Sequence, residues 1–510
     1  MTSQSSWTAI PDGYTSAAML YSYIKTLNPD YPLTYILHRK NKAHGLGEME
    51  KGDFEIPPST KLLIVPDAGT NDTAECNILI NNGISCIIFD HHEAEDIANE
   101  NKAIIVNNQT SPNYNNKDFS GAGIIYEFLR ALDDELWVNY SDKYLDLVAL
   151  AQISDVMDLR SCPTRYYVNQ GLNNIQNPML KALIATQEYS VKGEISPYSF
   201  AWYITPILNS LIRIGSYEER ELLFRAFICD YEEFDYKKRT GEIVKESIYE
   251  RAARLCKNAK ARQDKMRDKL FNALIKEVDY DDKVTILEAE EADAGIVGLS
   301  AMKLCDAIKR PVIILKQIND YMLGGSCRNF ENSPIEDLKD LLNNTGFFES
   351  RGHANAAGVF IERKNLQLAK EYLNEQLKDI TYDSSYLVDF ILTLDDIDVQ
   401  FIKTLNDLHW LWCTGIKEPL VVITNITLRR KDIYVQGKDN NSVAFECNGI
   451  KYVQFKMPED APLLQYVNSW GDPEDKITFD VVATCALNDY QGVLQPQCII
   501  KDVQITEQSN

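Results

Sequence analysis

The residues of this sequence best suited to chemistry are a carboxylate and two imidazoles at Asp90, His91 and His92. They follow the apolar run Cys86–Phe89, whose unbroken hydrophobicity predicts a strand buried on both faces of a parallel sheet. The charged group would then lie at the carboxyl end of that strand, the edge at which open α/β sheets bind ligands. Oxygen and nitrogen donors of this kind suit a divalent transition metal. Taken alone, these residues are equally consistent with a polar surface turn.

Two further acids follow turn or strand signals in the first part of the chain. Asp67 comes just after the apolar run Leu62–Val65, and Asp12 lies in a Pro-Asp-Gly turn signal before a helical pattern over Thr15–Leu27. The other predicted strands here are Tyr35–Leu37 and Ala103–Val106. Strands separated by helix-length connections predict a parallel, doubly wound α/β sheet with acids at its carboxyl edge.

A third acid ends an apolar helix pattern. The run from Asp146 to Asp155 reads DLVALAQISD, and an ordinary core helix would have no need of a carboxylate at its end. Gly121 and Gly123 open the preceding helix, Ile124–Leu132, where glycines permit the close approach of a ligand or of a neighbouring element. Packing and ligand binding both remain open for these glycines.

Charge and cysteine usage limit the possible classes of protein. With 510 residues, the chain is long enough for three or four domains. Its net charge of -23 argues against indiscriminate adhesion to nucleic acid, while a locally basic groove stays compatible with it. The 11 cysteines stand singly and indicate neither a zinc ribbon nor a disulfide framework. Neither a signal peptide nor a membrane span is evident, so we expect a cytoplasmic protein without a membrane partner.

In this order, the motifs resemble those of the DHH phosphoesterase superfamily, and within it the RecJ-type single-strand exonucleases. The matching positions are Asp12-Gly13, Asp67, Asp90-His91-His92, and the stretch DLVALAQISDVMDL with Asp155 and Asp158. The segments similar to the DHHA1 domain of the superfamily are Ala294–Leu315, Gly324–Asn329 and Arg351–Gly358. Leu487–Ile505 is similar to the end of the oligonucleotide-binding (OB) barrel of RecJ.

The resemblance runs along most of the chain and implies four parts. They are a DHH phosphoesterase domain of the parallel-sheet type over 1–195, a helical connector over 196–277, a DHHA1 α/β domain over 278–382 and a nucleic-acid-binding, OB-like β-barrel over 383–510.

The resemblance also implies a metal-dependent hydrolytic centre. Phosphodiester hydrolysis needs a nucleophilic water and neutralisation of phosphoryl charge, which two divalent ions roughly 3.5–4 Å apart can supply. The implied metal ligands are Asp12, Asp67, His91 and Asp155, which would hold one or two Mn²⁺ or Mg²⁺ ions. Asp90 and His92 would be catalytic residues that orient those ligands or meet the phosphate.

The first motif departs from the family pattern. Members usually carry His-x-Asp-x-Asp-Gly, whereas this chain has Thr8 in place of the histidine and Ile10 in place of the first acid. A two-metal site that lacks one acid should hold one of its ions more weakly. The alternatives are a slow enzyme, a one-metal enzyme, an enzyme that recruits a nearby acid such as Asp72, and a binding protein.

Four residues of the DHHA1-like part are implied contacts of the substrate phosphate. They are Ser326, Arg328, Gly352 and His353. Arginine offers a planar fork for phosphate oxygens, and glycine lets backbone amides approach them. A glycine before His353 is an unusual neighbour for a core histidine.

Two later patterns bear on nucleic-acid binding. Residues 237–269 are rich in Lys and Arg on an apolar period that begins with Ile243 and Val244, which predicts one long basic helix, either a solvated connector or the flank of a DNA groove. The last part has short apolar runs with turn signals, which predict a small barrel. Candidates there for base stacking or for the core are Tyr434, Tyr452 and Tyr490.

Together these observations predict a metal-dependent 5′-to-3′ exonuclease of single-stranded DNA, with the polarity implied only by the resemblance. A phosphodiesterase of short oligonucleotides or cyclic dinucleotides is the enzymatic alternative, although the barrel favours longer strands. A nucleic-acid-binding scaffold of replication is the non-enzymatic alternative. Single-stranded DNA is the expected partner, together with other proteins of replication or DNA repair.

Overall fold

A computed structural model describes residues 2–5, 11–40, 45–47, 49, 52–191, 193–382, 385–437, 439–490 and 493–508. The chain divides into two units, Met1–Ser384 and Ser385–Asn510. The finer domain boundaries given above stay a prediction. Within the described ranges, no helix combines the length and the apolar character needed to span a membrane.

The helices of the first unit are α1 (Pro11–Leu27), α2 (Thr73–Asn81), α3 (Gly121–Leu136), α4 (Leu145–Ser154), α5 (Cys162–Asn173), α6 (Pro178–Thr186), α7 (Glu188–Val191), α8 (Pro197–Ser199), α9 (Thr205–Ile214), α10 (Tyr217–Phe227), α11 (Ile248–Leu274), α12 (Ala294–Ile308), α13 (Leu338–Asn344) and α14 (Leu366–Gln376). Its strands are β1 (Thr2–Ser5), β2 (Leu33–Tyr35), β3 (Thr60–Pro66), β4 (Ser85–Asp90), β5 (Ile104–Asn107), β6 (Glu233–Lys237), β7 (Ile243–Ser247), β8 (Thr285–Glu288), β9 (Val312–Gln317), β10 (Met322–Arg328), β11 (Phe348–His353) and β12 (Ala356–Glu362). The second unit contains β13 (Phe390–Thr393), β14 (Val421–Arg429), β15 (Ile433–Gln436), β16 (Ser442–Cys447), β17 (Ile450–Gln454), β18 (Lys476–Tyr490) and β19 (Val493–Gln508), with α15 (Val399–Asp407) and α16 (Pro462–Asn468).

The first sheet is parallel throughout and has the strand order β2-β1-β3-β4-β5. This order confirms the predicted doubly wound sheet. The direction of winding reverses between β1 and β3, and the crevice at the carboxyl ends of such strands is where α/β sheets bind ligands. Asp67 follows β3, Asp90 ends β4, and Asp12 lies in the helix after β1. The topology therefore gathers the predicted acids at one edge.

Burial explains which elements of this sheet the sequence reveals. Leu63, Val65 and Ile88 are fully buried, as continuous apolar runs predict for strands covered on both faces. β1 consists of polar residues, and the sequence pattern does not predict it. The predicted turn at Pro11–Gly13 is wrong, because these residues form the first turn of α1. Proline is tolerated there since the first amides of a helix have no partner within the helix.

The predicted long basic helix over 237–269 is wrong at its start. Ile243 and Val244 lie in β7, which pairs with β6 as an antiparallel hairpin, and α11 begins only after this hairpin. Ser247 caps α11, and Glu250 completes a reciprocal capping box, so local residues specify where the helix begins. The remainder of the predicted segment is helical.

A second sheet has the order β11-β12-β10-β9-β8, in which β8 and β9 are parallel and the other pairs antiparallel. α12 covers one face, where Val312 and Ile314 are buried. α13 and α14 cover the other face, where Cys327 and Val359 are buried. Residues on either side of Cys327 in β10 therefore face α12, since side chains alternate along a strand.

The second unit is built on a sheet with the order β13-β14-β18-β19-β17-β16-β15. Its core includes Phe445 and Tyr452, whose rings stack with 4.8 Å between their centroids. Of the two interpretations left open for Tyr452, base stacking is therefore wrong and core packing is right. Tyr434 keeps 40% of its surface exposed. The side chain of Tyr490 lies outside the described part of the chain.

Candidate functional site

Asp12 is anchored at the start of α3. Its Oδ1 accepts hydrogen bonds from the Ser120 hydroxyl at 3.0 Å and the Ala122 amide at 2.8 Å, and its Oδ2 accepts one from the Gly121 amide at 2.7 Å. The first amides of a helix lack partners within the helix and carry partial positive charge, so a carboxylate is stabilised there. The side chain is fully buried. Its position is therefore fixed by the backbone of another element.

Asp67 reaches the same place through an unusual backbone and a facing glycine. Its φ of 61° lies in the left-handed region, and its amide donates to the Phe89 carbonyl at 2.6 Å. A Cβ on Gly121 would lie 2.7 Å from Asp67 Cβ and 2.9 Å from its Cα. A Cβ on Gly123 would lie 2.3 Å from Gln152 Nε2. Both glycines are thus explained by close packing.

Asp90 organises the turn after β4. Its carboxylate accepts hydrogen bonds from the amides of Thr70 at 3.0 Å and His91 at 2.8 Å, and its Oδ1 lies 2.6 Å from His92 Nδ1. Burial alone would raise the pKa of Asp90, but the bonds from His92 and Thr70 hold this pKa well below its ordinary value. Burial would likewise lower the pKa of His92, yet the bond to Asp90 raises it to about 8. His92 is therefore an oriented cation at neutral pH.

His91 joins the remaining acids. Its Nε2 lies 3.2 Å from Asp67 Oδ1, 3.2 Å from Asp155 Oδ2 and 3.8 Å from Asp12 Oδ2. Asp155 arrives at this point as the residue that caps the C-terminus of α4. Donor atoms of Asp12, His91 and Asp155 lie within 4.8 Å of one another, and so do donor atoms of Asp67, His91 and His92. The structure thus brings the four proposed metal ligands together.

The charge of His92 only partly offsets the crowding of carboxylates in this cluster. Burial, and after it the charge of Asp12, raises the pKa of Asp67 well above its ordinary value. The same causes raise the pKa of Asp155 to about 6. Like charges in a buried site resist ionising together unless a counter-charge is present. A divalent cation would supply that charge.

The donor set also fits Mn²⁺ or Mg²⁺ chemically. Three carboxylates and one imidazole form an oxygen-rich set with a single nitrogen, which suits these ions. Among the described residues, His91 Nε2 is buried and makes no hydrogen bond, although three carboxylates surround it. A ring nitrogen in this position is suited to hold an ion. The Nδ1 of His92 is instead engaged with Asp90.

The departure in the first motif is only partly visible. Thr8 and Ile10 lie outside the described residues. Asp72, the acid considered as a replacement, is engaged elsewhere, because its Oδ2 accepts a hydrogen bond from the Leu46 amide at 2.6 Å. It belongs to neither of the two donor groups.

Ser326 and Arg328 lie on the face of the second sheet that packs against α12. A Cβ on Gly298 would lie 2.7 Å from a guanidinium nitrogen of Arg328 and 3.4 Å from the Ser326 hydroxyl, so α12 approaches both side chains closely. Burial lowers the pKa of Arg328. A hydroxyl and a guanidinium side by side are suitable donors for a phosphate.

Arg213 in α9 is a candidate that the sequence reasoning missed. Burial, and after it the charge of Arg328, lowers the pKa of Arg213, and α12 approaches both residues. The N-terminal turn of α12 also meets this residue, since a Cβ on Gly295 would lie 2.9 Å from the Arg213 carbonyl oxygen. Two partly buried cations side by side favour an anion between them. The sequence signal for this candidate is a single arginine within the apolar pattern of α9.

Gly352 and His353 lie at the end of β11. His353 and Arg328 both pair with Ala356 of β12 from opposite sides, so their side chains share one face of the sheet. His353 is exposed. Gly352 has a φ of 124°, a conformation that favours glycine. Backbone geometry accounts for this glycine, and substrate contact at either residue stays a prediction.

Two family models match the chain: the DHH family, N-terminal domain, over residues 11–152, and the RecJ OB domain over residues 388–502. YorK is an SPbeta prophage-derived protein of Bacillus subtilis that bears the name of a single-strand DNA-specific exonuclease. It is 35% identical over 508 residues, which cover 97% of this chain and 86% of YorK. The single-stranded-DNA-specific exonuclease RecJ of Bacillus subtilis is 23% identical, over 97% of this chain and 60% of RecJ.

Solved structures show the same fold. RecJ from Thermus thermophilus in complex with Mn²⁺ matches with a TM-score of 0.76 at 19% identity, over 99% of this chain and 69% of that chain. The same protein in complex with Mg²⁺ matches with a TM-score of 0.70 at 18% identity, over 99% and 68%. With the family models, this likeness confirms the predicted fold class of DHH-type, DHHA1-type and OB-like parts.

Proposed function

Because this chain belongs to the family of RecJ-like single-strand DNA-specific exonucleases, we propose that it is a metal-dependent exonuclease that hydrolyses phosphodiester bonds of single-stranded DNA. The observation that carries the proposal is the convergence of Asp12, Asp67, His91 and Asp155 at the carboxyl edge of the parallel sheet. The OB domain favours a strand over a cyclic or very short nucleotide as substrate. Mn²⁺ or Mg²⁺ is the proposed cofactor.

Bound at this cluster, a divalent ion would lower the pKa of a water and neutralise phosphoryl charge. The carboxylates of Asp12, Asp67 and Asp155 and the imidazole of His91 would hold it. His92 is 40% exposed and carries a positive charge at neutral pH, so it can donate a hydrogen bond to a phosphoryl oxygen or a proton to the leaving oxygen. The carboxylate of Asp90 keeps the ring oriented for that purpose.

Arg213, Arg328 and Ser326 form the proposed site for a phosphate of the strand. α9, which carries Arg213, packs against α1 and α4, the helices that position Asp12 and Asp155. A terminal phosphate bears more negative charge than an internal phosphodiester, so a pair of partly buried arginines favours a strand end. The charge argument applies to either end, and we assign the 5′ end on the family resemblance alone. The cytoplasmic location of the protein and its partners in replication or repair stay predictions.

The decisive test is Mn²⁺-dependent hydrolysis of single strands labelled at either end. Asp155→Asn should lose at least about 100-fold in rate, because it removes a proposed ligand. Asp158→Asn is the matched control, since this carboxylate lies in the same segment and pairs with Arg160 at 2.5 Å, outside the cluster. Binding of strands without cleavage by the wild type, at any Mn²⁺ concentration, would favour the scaffold alternative and overturn the proposal.

Polarity has its own test. Arg213→Gln and Arg328→Gln should reduce kcat/KM more on 5′-phosphorylated strands than on 5′-hydroxyl strands. Equal losses on the two substrates would leave the arginines as general strand contacts and remove the structural support for 5′-end recognition.

A further inference from the structure

Gln152 is a fully buried amide in α4, one helical turn before Asp155. Its Oε1 accepts a hydrogen bond from the backbone amide of Ser120 at 3.2 Å. Because that donor is an N–H group, the oxygen of the side chain faces Ser120 and the nitrogen faces α3. Among the described residues, Nε2 has no hydrogen-bond partner.

Only the oxygen of this side chain serves core stability, because it pairs the buried backbone amide of Ser120. The unpaired N–H groups of the same side chain cost free energy. Gly123 leaves the space that this amide occupies, since a Cβ at Gly123 would lie 2.3 Å from Gln152 Nε2. The contact with Ser120 therefore fixes the backbone at the start of α3 against α4.

Ser120 links this contact to the cluster. It is the N-cap of α3, and its hydroxyl donates to Asp12 Oδ1 at 3.0 Å. The next two amides, those of Gly121 and Ala122, bond both oxygens of Asp12. A rotation of the Ser120 backbone would move these three donors together, and Asp12 with them.

We propose that Gln152 is a positioning residue for the metal cluster. It holds Ser120, and through Ser120 it holds the carboxylate of Asp12. Since Asp155 caps the same helix that carries Gln152, the amide fixes the start of α3 against the end of α4 and so sets the separation of two ligands. This inference rests on the proposed function, because it requires a divalent ion at the cluster.

Gln152→Met keeps the size of the side chain and removes the acceptor. We expect Mn²⁺ affinity, measured by electron paramagnetic resonance of free Mn²⁺, to fall about tenfold, at the lower end of the range for residues that support metal ligands. In chelator, hydrogen exchange of a peptide that contains Ser120–Ala122 should rise, a readout that needs neither metal nor substrate.

Gln263→Met is the matched control. Gln263 is also buried, in α11, and its Nε2 also has no partner among the described residues. The same substitution should therefore alter stability there and leave Mn²⁺ affinity unchanged. Gly123→Ala displaces the Gln152 amide from the other side, and it provides a second variant with the same expected loss of affinity.

A double mutant tests the route through Ser120. If Gln152 acts through this residue, Ser120→Ala with Gln152→Met should lose less affinity than the product of the single losses. Unchanged Mn²⁺ affinity in both Gln152→Met and Gly123→Ala would overturn the positioning role, whatever their melting temperatures. Wild-type protein that binds Mn²⁺ but cleaves no strand would instead overturn the proposed function and leave the positioning role standing.

Discussion

Without metal, the cluster should lose stability as the pH rises, because Asp155 holds its proton more tightly in the folded chain. Its folded pKa is about 6, against an ordinary value of 3.8. A carboxyl group with a raised folded pKa contributes stability that is fully present below the unfolded pKa and is lost as pH rises through the folded pKa. The loss should therefore develop between about pH 4 and about pH 6.

The expected size of this loss follows from the two pKa values. At about 1.36 kcal/mol for each tenfold difference in proton affinity, Asp155 alone costs about 3 kcal/mol at neutral pH in chelator. The side chain is only 21% exposed, so solvent screening is limited. Asp155→Asn supplies a neutral group of the same shape. It also removes one of the negative charges that raise the pKa of Asp67. In chelator at neutral pH, the variant should therefore be more stable than the wild type by about 3 kcal/mol.

Urea unfolding in chelator, followed from about pH 4 to about pH 7, measures this difference. Saturating Mn²⁺ should reverse the order, since only the wild type keeps the full ligand set. Asp158→Asn is the control: bonds from Arg160 lower the pKa of Asp158, so its loss should destabilise the protein at neutral pH. Parallel pH profiles for wild type and Asp155→Asn in chelator would refute the picture of crowded like charges.

Three further predictions follow from particular contacts. Gly121→Ala should displace Asp67 and weaken Mn²⁺ binding in titrations, at a cost of about 1–3 kcal/mol in stability; unchanged Mn²⁺ binding would contradict the close contact. Tyr434→Ala should weaken strand binding by about 1–3 kcal/mol, as measured by the fluorescence anisotropy of a labelled strand. Tyr452→Ala should instead lower unfolding stability by about 3–5 kcal/mol, and the opposite pattern would reverse their assignments. Arg328→Gln should flatten the salt dependence of strand binding by about one phosphate, and an unchanged slope would make the residue structural.

The parallel sheet could be predicted because burial on both faces leaves apolar runs such as Leu62–Val65 in the sequence. β1 could not, since Thr2–Ser5 are polar and join the sheet through backbone pairing with β2 and β3. The hairpin strand β7 could not be predicted for a different reason. Ile243 and Val244 fit a helical period as well as a strand, and only the capping box at Ser247 shows where α11 begins.

The strand pattern places Asp67, Asp90 and His91 at one edge of the sheet, but the full set of ligands could be predicted only through the family resemblance, because its residues come from distant parts of the chain. No local pattern reveals the left-handed backbone of Asp67 or the clearance that Gly121 gives it. Arg213 shows the same limit. An arginine in an apolar helix pattern gains meaning only when the fold brings it near Arg328.

The bonding of Asp12 bears on how many ions the cluster can hold. A carboxylate offers about four lone-pair directions. Oδ1 already accepts from the hydroxyls of Ser16 and Ser120 and from the Ala122 amide, and Oδ2 accepts from the Gly121 amide. The remaining direction is on the oxygen that lies 3.8 Å from His91. Asp12 can therefore serve one ion but cannot bridge two.

His92 does not make up for this limit. It completes the second group of donors, but its Nδ1 is already bonded to Asp90, so at most one of its ring nitrogens can serve an ion. With Ile10 where the family pattern has an acid, the first motif also carries one carboxylate fewer. The bonds already made by Asp12 and His92 thus favour one firmly held ion, and they give the slow-enzyme and one-metal alternatives a common physical cause.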